Sequence, residues 1–325
     1  MENKIKYSII TPVYNRADCI MRCMESVERS MKSLCGGANL EHVIVDDGSS
    51  DETCTIVEDY ASQHPHIKFV KFDKNKGTNA ARNEAIRRAR GKWCIILDSD
   101  DYFCDTALSD IDKTIKENPT YGHYAFAAED MQGYYKDNLI IKGAESKVLT
   151  YPDFLNGYVD CDFIHVMQRE VLLRYPFNEQ LRIYEGLFFL LFYRDVRLIL
   201  FTNKVVTIRE RQRSDSVSRF FIRTNVEVIR KQVLSLELML QYFEDDMIQL
   251  GMNRRLNSIK MSLYENYILL GEYSKANSLG ITCFNGKKAH ILKVVCGLRL
   301  GWLYRLLLQS YLVLKYKVFS RKLKM

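Results

Sequence analysis

Apolar runs of strand length and stretches with helical spacing alternate through the first third of the chain. Tyr7 to Thr11, His42 to Val45, Ile67 to Phe72 and Trp93 to Leu97 are rich in β-branched and aromatic residues, and each gives way to Pro, Asp, Asn or Gly. Helical patterns follow, beginning near Ala17 or Asp18, near Glu52, at about Thr78 (to Arg90) and at Thr106 (to Asn118, closed by Pro119). A strand-helix pair repeated four times predicts an α/β fold, a mostly parallel sheet with helices on both faces. Trp93 to Leu97 holds no alternating polar position, as expected of a strand buried on both sides. From about Phe220 the pattern turns helical, with apolar residues at helical spacing over Val226 to Ile248 and again over Leu256 to Leu270, ended by Gly271. The expected organisation is an α/β domain over residues 1–219 and a helical extension over 220–325.

Polar residues collect where the strands end, the edge at which open α/β sheets bind ligands. The fourth strand stops at Asp98-Ser99-Asp100-Asp101. Carboxylates so close together repel unless a cation or donors meet them, so this is either a solvated acidic turn or a site for Mg²⁺ or Mn²⁺ that shares a diphosphate's oxygens. The turn after the first strand carries Thr11, Pro12, Tyr14 and Asn15, where the ring either packs at a corner or receives a flat base. After the second strand, Ser50 and Asp51 suit a helix cap, which leaves Asp46 and Asp47 for a ribose hydroxyl or a base N–H. Arg82 lies in the first turns of its helix, at the positive dipole end on the same edge, whereas Arg87, Arg88 and Arg90 sit toward the far end. Neither Gly-x-Gly-x-x-Gly after a strand nor Gly-x-x-x-x-Gly-Lys-Ser/Thr occurs, so the dinucleotide fold and the P-loop lack their signatures.

Charge changes the picture mainly at the end of the chain. Of a net +7, the stretch Tyr273 to Met325 supplies eleven Lys and Arg against no Asp or Glu, and the remainder is slightly acidic. That distribution argues against a nucleic-acid-binding body and points to an anionic membrane surface as the tail's partner. Leu300 to Leu314 is apolar almost all round except for Arg305, Gln309 and Ser310, so it must be buried in protein or lipid. Trp302, Tyr304, Tyr311 and Tyr316 among Lys and Arg suit an interfacial helix better than a spanning one. Nine scattered cysteines without a Cys-x-x-Cys pair suit a reducing compartment. With no leader and no spanning segment in the pattern, the expected location is cytoplasmic, peripheral on the inner face of the membrane.

Four stretches, Ser8 to Arg16, Val45 to Asp51, Asn75 to Asn83 and Ile96 to Asp101, together resemble the family 2 inverting glycosyltransferases, which have the GT-A fold. The resemblance implies a nucleotide-sugar half over residues 1–110 and an acceptor half over 111–219. It implies that Thr11, Pro12, Tyr14, Asn15, Asp46, Asp47, Arg82, Asp98 and Ser99 hold the nucleotide sugar. It implies that Asp98 and Asp100 form the Asp-x-Asp pair around Mn²⁺ or Mg²⁺, with Asp100 as direct ligand. Arg209 to Arg219 looks like the family's basic loop over the diphosphate. Downstream, Tyr184 to Phe189 looks like the stretch bearing the family's acid pair, but Glu-Asp is here Glu185-Gly186. Glu185 is the candidate general base, with Asp160 and Asp162 as competitors. The implied reaction moves a sugar from a nucleotide-diphosphate donor to a hydroxyl of a saccharide or lipid-linked saccharide. A non-catalytic nucleotide-sugar-binding protein of the same fold is the alternative.

Overall fold

The computed structural model describes residues 5–34, 39–160, 162–209, 225–279 and 286–322, in two compact units, Met1–Arg213 and Ser214–Met325. The expected boundary at residue 219 lies outside the described residues.

The first unit runs β1 (Tyr7–Val13), α1 (Ile20–Lys32), β2 (Leu40–Asp46), α2 (Thr53–Gln63), β3 (Ile67–Lys71), α3 (Thr78–Arg88), β4 (Trp93–Ile96), β5 (Tyr102–Phe103) and α4 (Ala107–Glu117). It continues through β6 (His123–Ala128), α5 (Gln132–Asp137), β7 (Ser146–Thr150), α6 (Tyr151–Leu155), β8 (Ile164–Gln168), α7 (Arg169–Arg174), α8 (Gly186–Val196) and β9 (Leu198–Ile208). All nine strands join one sheet in the order β3-β2-β1-β4-β8-β6-β9-β5, with β7 also paired to β9. β3, β2, β1 and β4 are parallel neighbours; β8 runs against β4 and β6, and β9 is again parallel to β6. The mostly parallel α/β sheet expected from the alternation is therefore present. Its second half adds the antiparallel strands β5, β7 and β8.

Alternation along β1 shows how the layers form. Tyr7, Ile9 and Val13 join a buried cluster with Cys23, Met24 and Val27 of α1 and Leu108, Ile111 and Ile115 of α4. Ser8 and Ile10 face the other way. There α3 approaches β1 and β2, and the small side chains of Ala80, Ala81 and Ala85 on its buried face allow close packing. At the amino edge Glu41 is 2% exposed. Burial alone would raise its carboxyl, yet hydrogen bonds from Lys68, Ser8 and the Arg90 N–H hold it below the usual range. The Gly91 N–H donates to Ser8 Oγ at 2.8 Å. A Cβ at Gly91 would lie 2.6 Å from that oxygen and 2.7 Å from the Ser8 nitrogen. Gly91→Ala should therefore cost about 1–3 kcal/mol, read as a lower melting temperature, because backbone cannot step aside as a side chain can. An unchanged melting temperature would show that β1 and β4 are free to part here.

The second unit contains α9 (Val226–Gln249), α10 (Asn253–Leu270), α11 (Tyr273–Ser278), α12 (Lys287–Gly297) and α13 (Gly301–Lys322). The Asn225 side chain caps α9 by accepting the Glu227 N–H at 2.8 Å. Gly271 ends α10 in the left-handed conformation with φ of 77°. Ile229 and Val233 of α9, Leu263, Tyr264, Tyr267 and Ile268 of α10 and Ala289, Leu292 and Cys296 of α12 make its core. The apolar end of the chain is divided between α12 and α13. Between them Arg299 has φ of 56°, and the backbone at Gly301 comes so close to α10 that a Cβ there would lie 2.0 Å from the Ile268 carbonyl oxygen. Gly297 and Gly301 thus fall on different helices, and Gly301 serves close packing on α10. Among the described residues, no helix is long and apolar enough to cross a membrane.

Candidate active site at the carboxyl edge of the sheet

The register of β1 with β2 sets Val13 beside Asp46, and Ile10 pairs with Ile96, so the turns that follow three strands emerge at one edge. Those turns are tied to one another by side chains. Asn15, at φ of 50°, accepts the Ser50 N–H at 2.9 Å and donates its own N–H to Ser49 Oγ at 2.8 Å. The fully buried Asp46 carboxylate accepts from the Ser49 N–H at 2.9 Å, from the Ser49 hydroxyl, and from the Cys54 thiol at 3.2 Å. Asp47 reaches across to the next turn, accepting the N–H groups of Lys76 at 2.6 Å and Gly77 at 2.9 Å. Burial pushes its carboxyl up, and those two N–H groups pull against that. Gly48 closes the same turn at φ of 74°, and a Cβ there would lie 2.6 Å from the Lys74 carbonyl carbon. Asp51 accepts the Thr53 N–H at 3.0 Å and the Ala17 N–H before α1 at 3.1 Å, so it braces the two turns, whereas the cap position of α2 falls to Glu52, whose side chain makes no capping hydrogen bond.

These ties sort the expected nucleotide ligands. Thr11 is buried against His42, its hydroxyl 2.9 Å from Nε2, and Pro12 is buried beside it. Asp46 and Asp47 brace the turns from within. Tyr14, 41% exposed, stands at the rim with its ring open to solvent. Ser99 is buried, and its carbonyl accepts a long contact from the Cys19 thiol.

Arg82 joins the two halves of the edge. Its Nη2 donates to Asp98 at 2.9 Å and its Nη1 to Glu185 at 3.2 Å, with the guanidinium over the Phe177 ring. Burial alone would lower its pKa, but the two carboxylates outweigh that and raise it, so the group is a fixed cation. Glu185, immediately before α8, is positioned a second time by the Ile183 N–H at 3.1 Å. Two asparagines that sequence reasoning passed over hold this arrangement. The Asn79 amide donates to the Asn178 carbonyl, and Asn83 exchanges hydrogen bonds with both backbone groups of Phe177, all at 2.9 Å. Asn79, Arg82 and Asn83 stand at i, i+3 and i+4, so their shared helix face was the available signal.

Asp100 lies beyond Asp98 on the same turn. Its carboxylate is 3.9 Å from Arg16, and its carbonyl accepts from Arg22 at 3.4 Å. Asp98 and Asp100 are hard oxygen donors, and among the described residues no three His, Cys, Asp or Glu side chains converge as a metal cage. A donor set of one or two carboxylates fits an ion such as Mg²⁺, which keeps waters and takes substrate phosphate oxygens for its other positions. Of the competitors of Glu185, Asp160 is exposed, while Asp162 is paired with Arg209 at 3.3 Å, and Arg209 also holds Asp130 at 2.8 Å. The Arg209 guanidinium is thereby engaged with carboxylates. The rest of the expected basic loop, residues 210–219, lies outside the described residues. At Gly186 a Cβ would meet nothing within 4 Å, so crowding does not explain the glycine.

The model of the family described as glycosyl transferase family 2 matches residues 8–175, half of the chain, which includes the turns after β1, β2 and β4 and Arg82 but stops short of Phe177 and Glu185. The chain belongs to glycosyl transferase family 2. Among curated members, chondroitin synthase of Escherichia coli is 40% identical over 95 residues, 29% of this chain and 13% of the relative. The GalNAc(5)-diNAcBac-PP-undecaprenol beta-1,3-glucosyltransferase of Campylobacter jejuni is 27% identical over 178 residues, 54% of this chain and 55% of the relative. The chain thus spans about half the length of one relative and much less of the other. Among solved structures, Staphylococcus aureus TarS 1-349 in complex with UDP-GlcNAc superposes with a TM-score of 0.60 at 18% identity, covering 94% of this chain and 91% of that one. A mannosyltransferase from Pyrobaculum calidifontis, solved with GDP-Man and Mn²⁺, gives 0.57 at 18% identity over 95% and 85%. At that identity these likenesses bear on the fold, which is GT-A.

Proposed function

We propose that this family 2 chain is a metal-dependent, inverting glycosyltransferase that moves a sugar from a nucleotide-diphosphate donor to an acceptor hydroxyl. The observation that carries this reading is the Arg82 clasp, which sets Asp98 of the acidic turn and Glu185 of the acceptor side on two nitrogens of one guanidinium. In the proposed complex the nucleotide lies along the braced turns, with Tyr14 offering its ring to the base and Asp46 and Asp47 keeping the pocket's backbone in shape. Asp98 and Asp100 would hold Mn²⁺ or Mg²⁺, which supplies positive charge to a departing diphosphate. Arg82 adds a fixed cation near the same turn. Glu185 takes the proton of the acceptor hydroxyl as its oxygen bonds to the anomeric carbon and the bond from that carbon to the diphosphate breaks. Attack from the face opposite the leaving group inverts the anomeric centre. The basic C-terminal tail supports a lipid-linked saccharide acceptor at an anionic membrane surface, in cell-surface polysaccharide or glycolipid assembly on the cytoplasmic side.

A second reading, a nucleotide-sugar-binding protein without turnover, is favoured by the same clasp, since Glu185 Oε1 already accepts from both Arg82 and Ile183. A panel of nucleotide sugars with Mn²⁺, scored for hydrolysis, for transfer and for saturable binding, separates the two. Turnover with an inverted product supports the enzyme, whereas tight binding with no consumption of any donor supports the binder. Asp100→Ala should weaken binding of the nucleoside diphosphate about tenfold or more in the presence of metal and little in its absence, as expected on loss of a charged ligand. Equal weakening with and without metal would remove Asp100 from the metal site. Asp101→Ala should be milder.

A further inference from the structure

The helix wheel of α13 divides sharply at 100° per residue. Gly301, Tyr304, Arg305 and Leu308 face α10, with the Tyr304 hydroxyl on Glu265 at 2.7 Å and Arg305 on the Leu269 carbonyl. The opposite half presents Trp302, Leu303, Leu306 and Leu307, with Tyr311 at its flank beside Tyr304, and Trp302, Leu307 and Tyr311 are 57%, 62% and 58% exposed. Ser310 interrupts that face, and the exposed Gln309 borders it beside Trp302. So many large apolar side chains contiguous in solvent are unusual for a monomer and mark an interaction surface. The chemistry of its surroundings selects the partner. From Tyr273 to Met325 there is no acidic residue and eleven basic ones, among them the exposed Lys287, Lys293 and Arg299. An apolar face with Trp and Tyr at its margins, within a segment of one positive sign, matches an anionic lipid surface on both counts: side chains for the acyl boundary, charge for the headgroups.

We propose that α13 is an interfacial anchor that lies in the plane of an anionic bilayer, with Trp302, Leu306 and Leu307 entering the headgroup-acyl boundary. This deepens the membrane-facing acceptor reading above by naming the face that docks, and it is tested without any donor. The chain has two tryptophans, and Trp93 is only 2% exposed in the sheet, so a change in emission on mixing with vesicles reports Trp302. With vesicles of phosphatidylcholine containing about 30 mol% phosphatidylglycerol, emission should shift to the blue, brominated acyl chains should quench it, and the protein should co-sediment. Vesicles of phosphatidylcholine alone should bind it less. Leu306→Asp combined with Leu307→Asp should weaken co-sedimentation about tenfold or more. Nucleotide binding and the circular-dichroism melt should stay unchanged, because both side chains point to solvent. Unchanged Trp302 emission on anionic vesicles, or full co-sedimentation of the double variant, would overturn the proposal. So would a full-length dimer that the double variant converts to monomer without any vesicle binding, since the face would then serve a second copy. Loss of donor turnover with vesicle binding intact would count against the enzymatic reading alone.

Discussion

Replacing Glu185 with glutamine should lower kcat about 100-fold or more and leave donor affinity nearly intact, the signature of a lost general base. Glutamine keeps the size of the side chain, and its carbonyl oxygen can still accept from Arg82 Nη1 and from the Ile183 N–H, the two bonds that position Glu185. What it cannot do is take a proton. If Glu185 merely favours the positive end of α8, the exchange costs only about 0.3–1 kcal/mol of stability and leaves turnover alone. Comparing kcat with the melting temperature therefore separates the roles. Near-normal turnover would pass the base role to Asp160 or Asp162, of which Asp162 is already paired with Arg209.

Arg82→Ala should reduce kcat/KM about 100-fold or more if, as proposed above, its charge offsets the negative charge that develops on the diphosphate. Arg82→Lys should recover little of it. An ammonium is a single point charge, whereas the guanidinium places separate nitrogens 2.9 Å from Asp98 and 3.2 Å from Glu185. The stability loss in Arg82→Ala should be smaller than for a fully buried pair, about 1–3 kcal/mol, because the Asp98 side chain is 46% exposed and water screens it. Full kcat/KM in the lysine variant would show that charge alone is enough and that the two-point geometry is incidental.

The strand-helix alternation of the first hundred residues was legible because each strand there is apolar, short and ended by turn residues, and because each helix has a small or apolar face. The strands of the second half were harder to read. β5 has two residues, β7 is exposed along three of its five, and β9 mixes Thr, Asn and Lys into an eleven-residue run, so pairing within the sheet rather than local pattern defines them. In the site, the residue types at the edge were visible, but their division of labour was not. Asp46 and Asp47 have the composition of ligands, yet Asp46 is spent on its own turn and Cys54, and Asp47 on the N–H groups of Lys76 and Gly77 in the next turn, a pairing that only tertiary structure contains. The split in the tail was hidden because Gly301 is required by the approach of α10, and no local rule announces a partner 33 residues away.

The bracing of the edge has an engineering consequence. The ties among the turns that follow β1, β2 and β3 are made within residues 11–101, so that segment braces its own edge. Beyond the β4–β8 strand pairing, its side-chain ties to the later half run, among the described residues, through α3, whose Asn79 and Asn83 hold Asn178 and Phe177 and whose Arg82 holds Glu185. A chimera that imports another relative's donor half has to carry over or match those three positions and the short strip from Phe177 to Glu185. A crossover placed between them would join two intact halves with the seam left open at the point where the chemistry is proposed to occur.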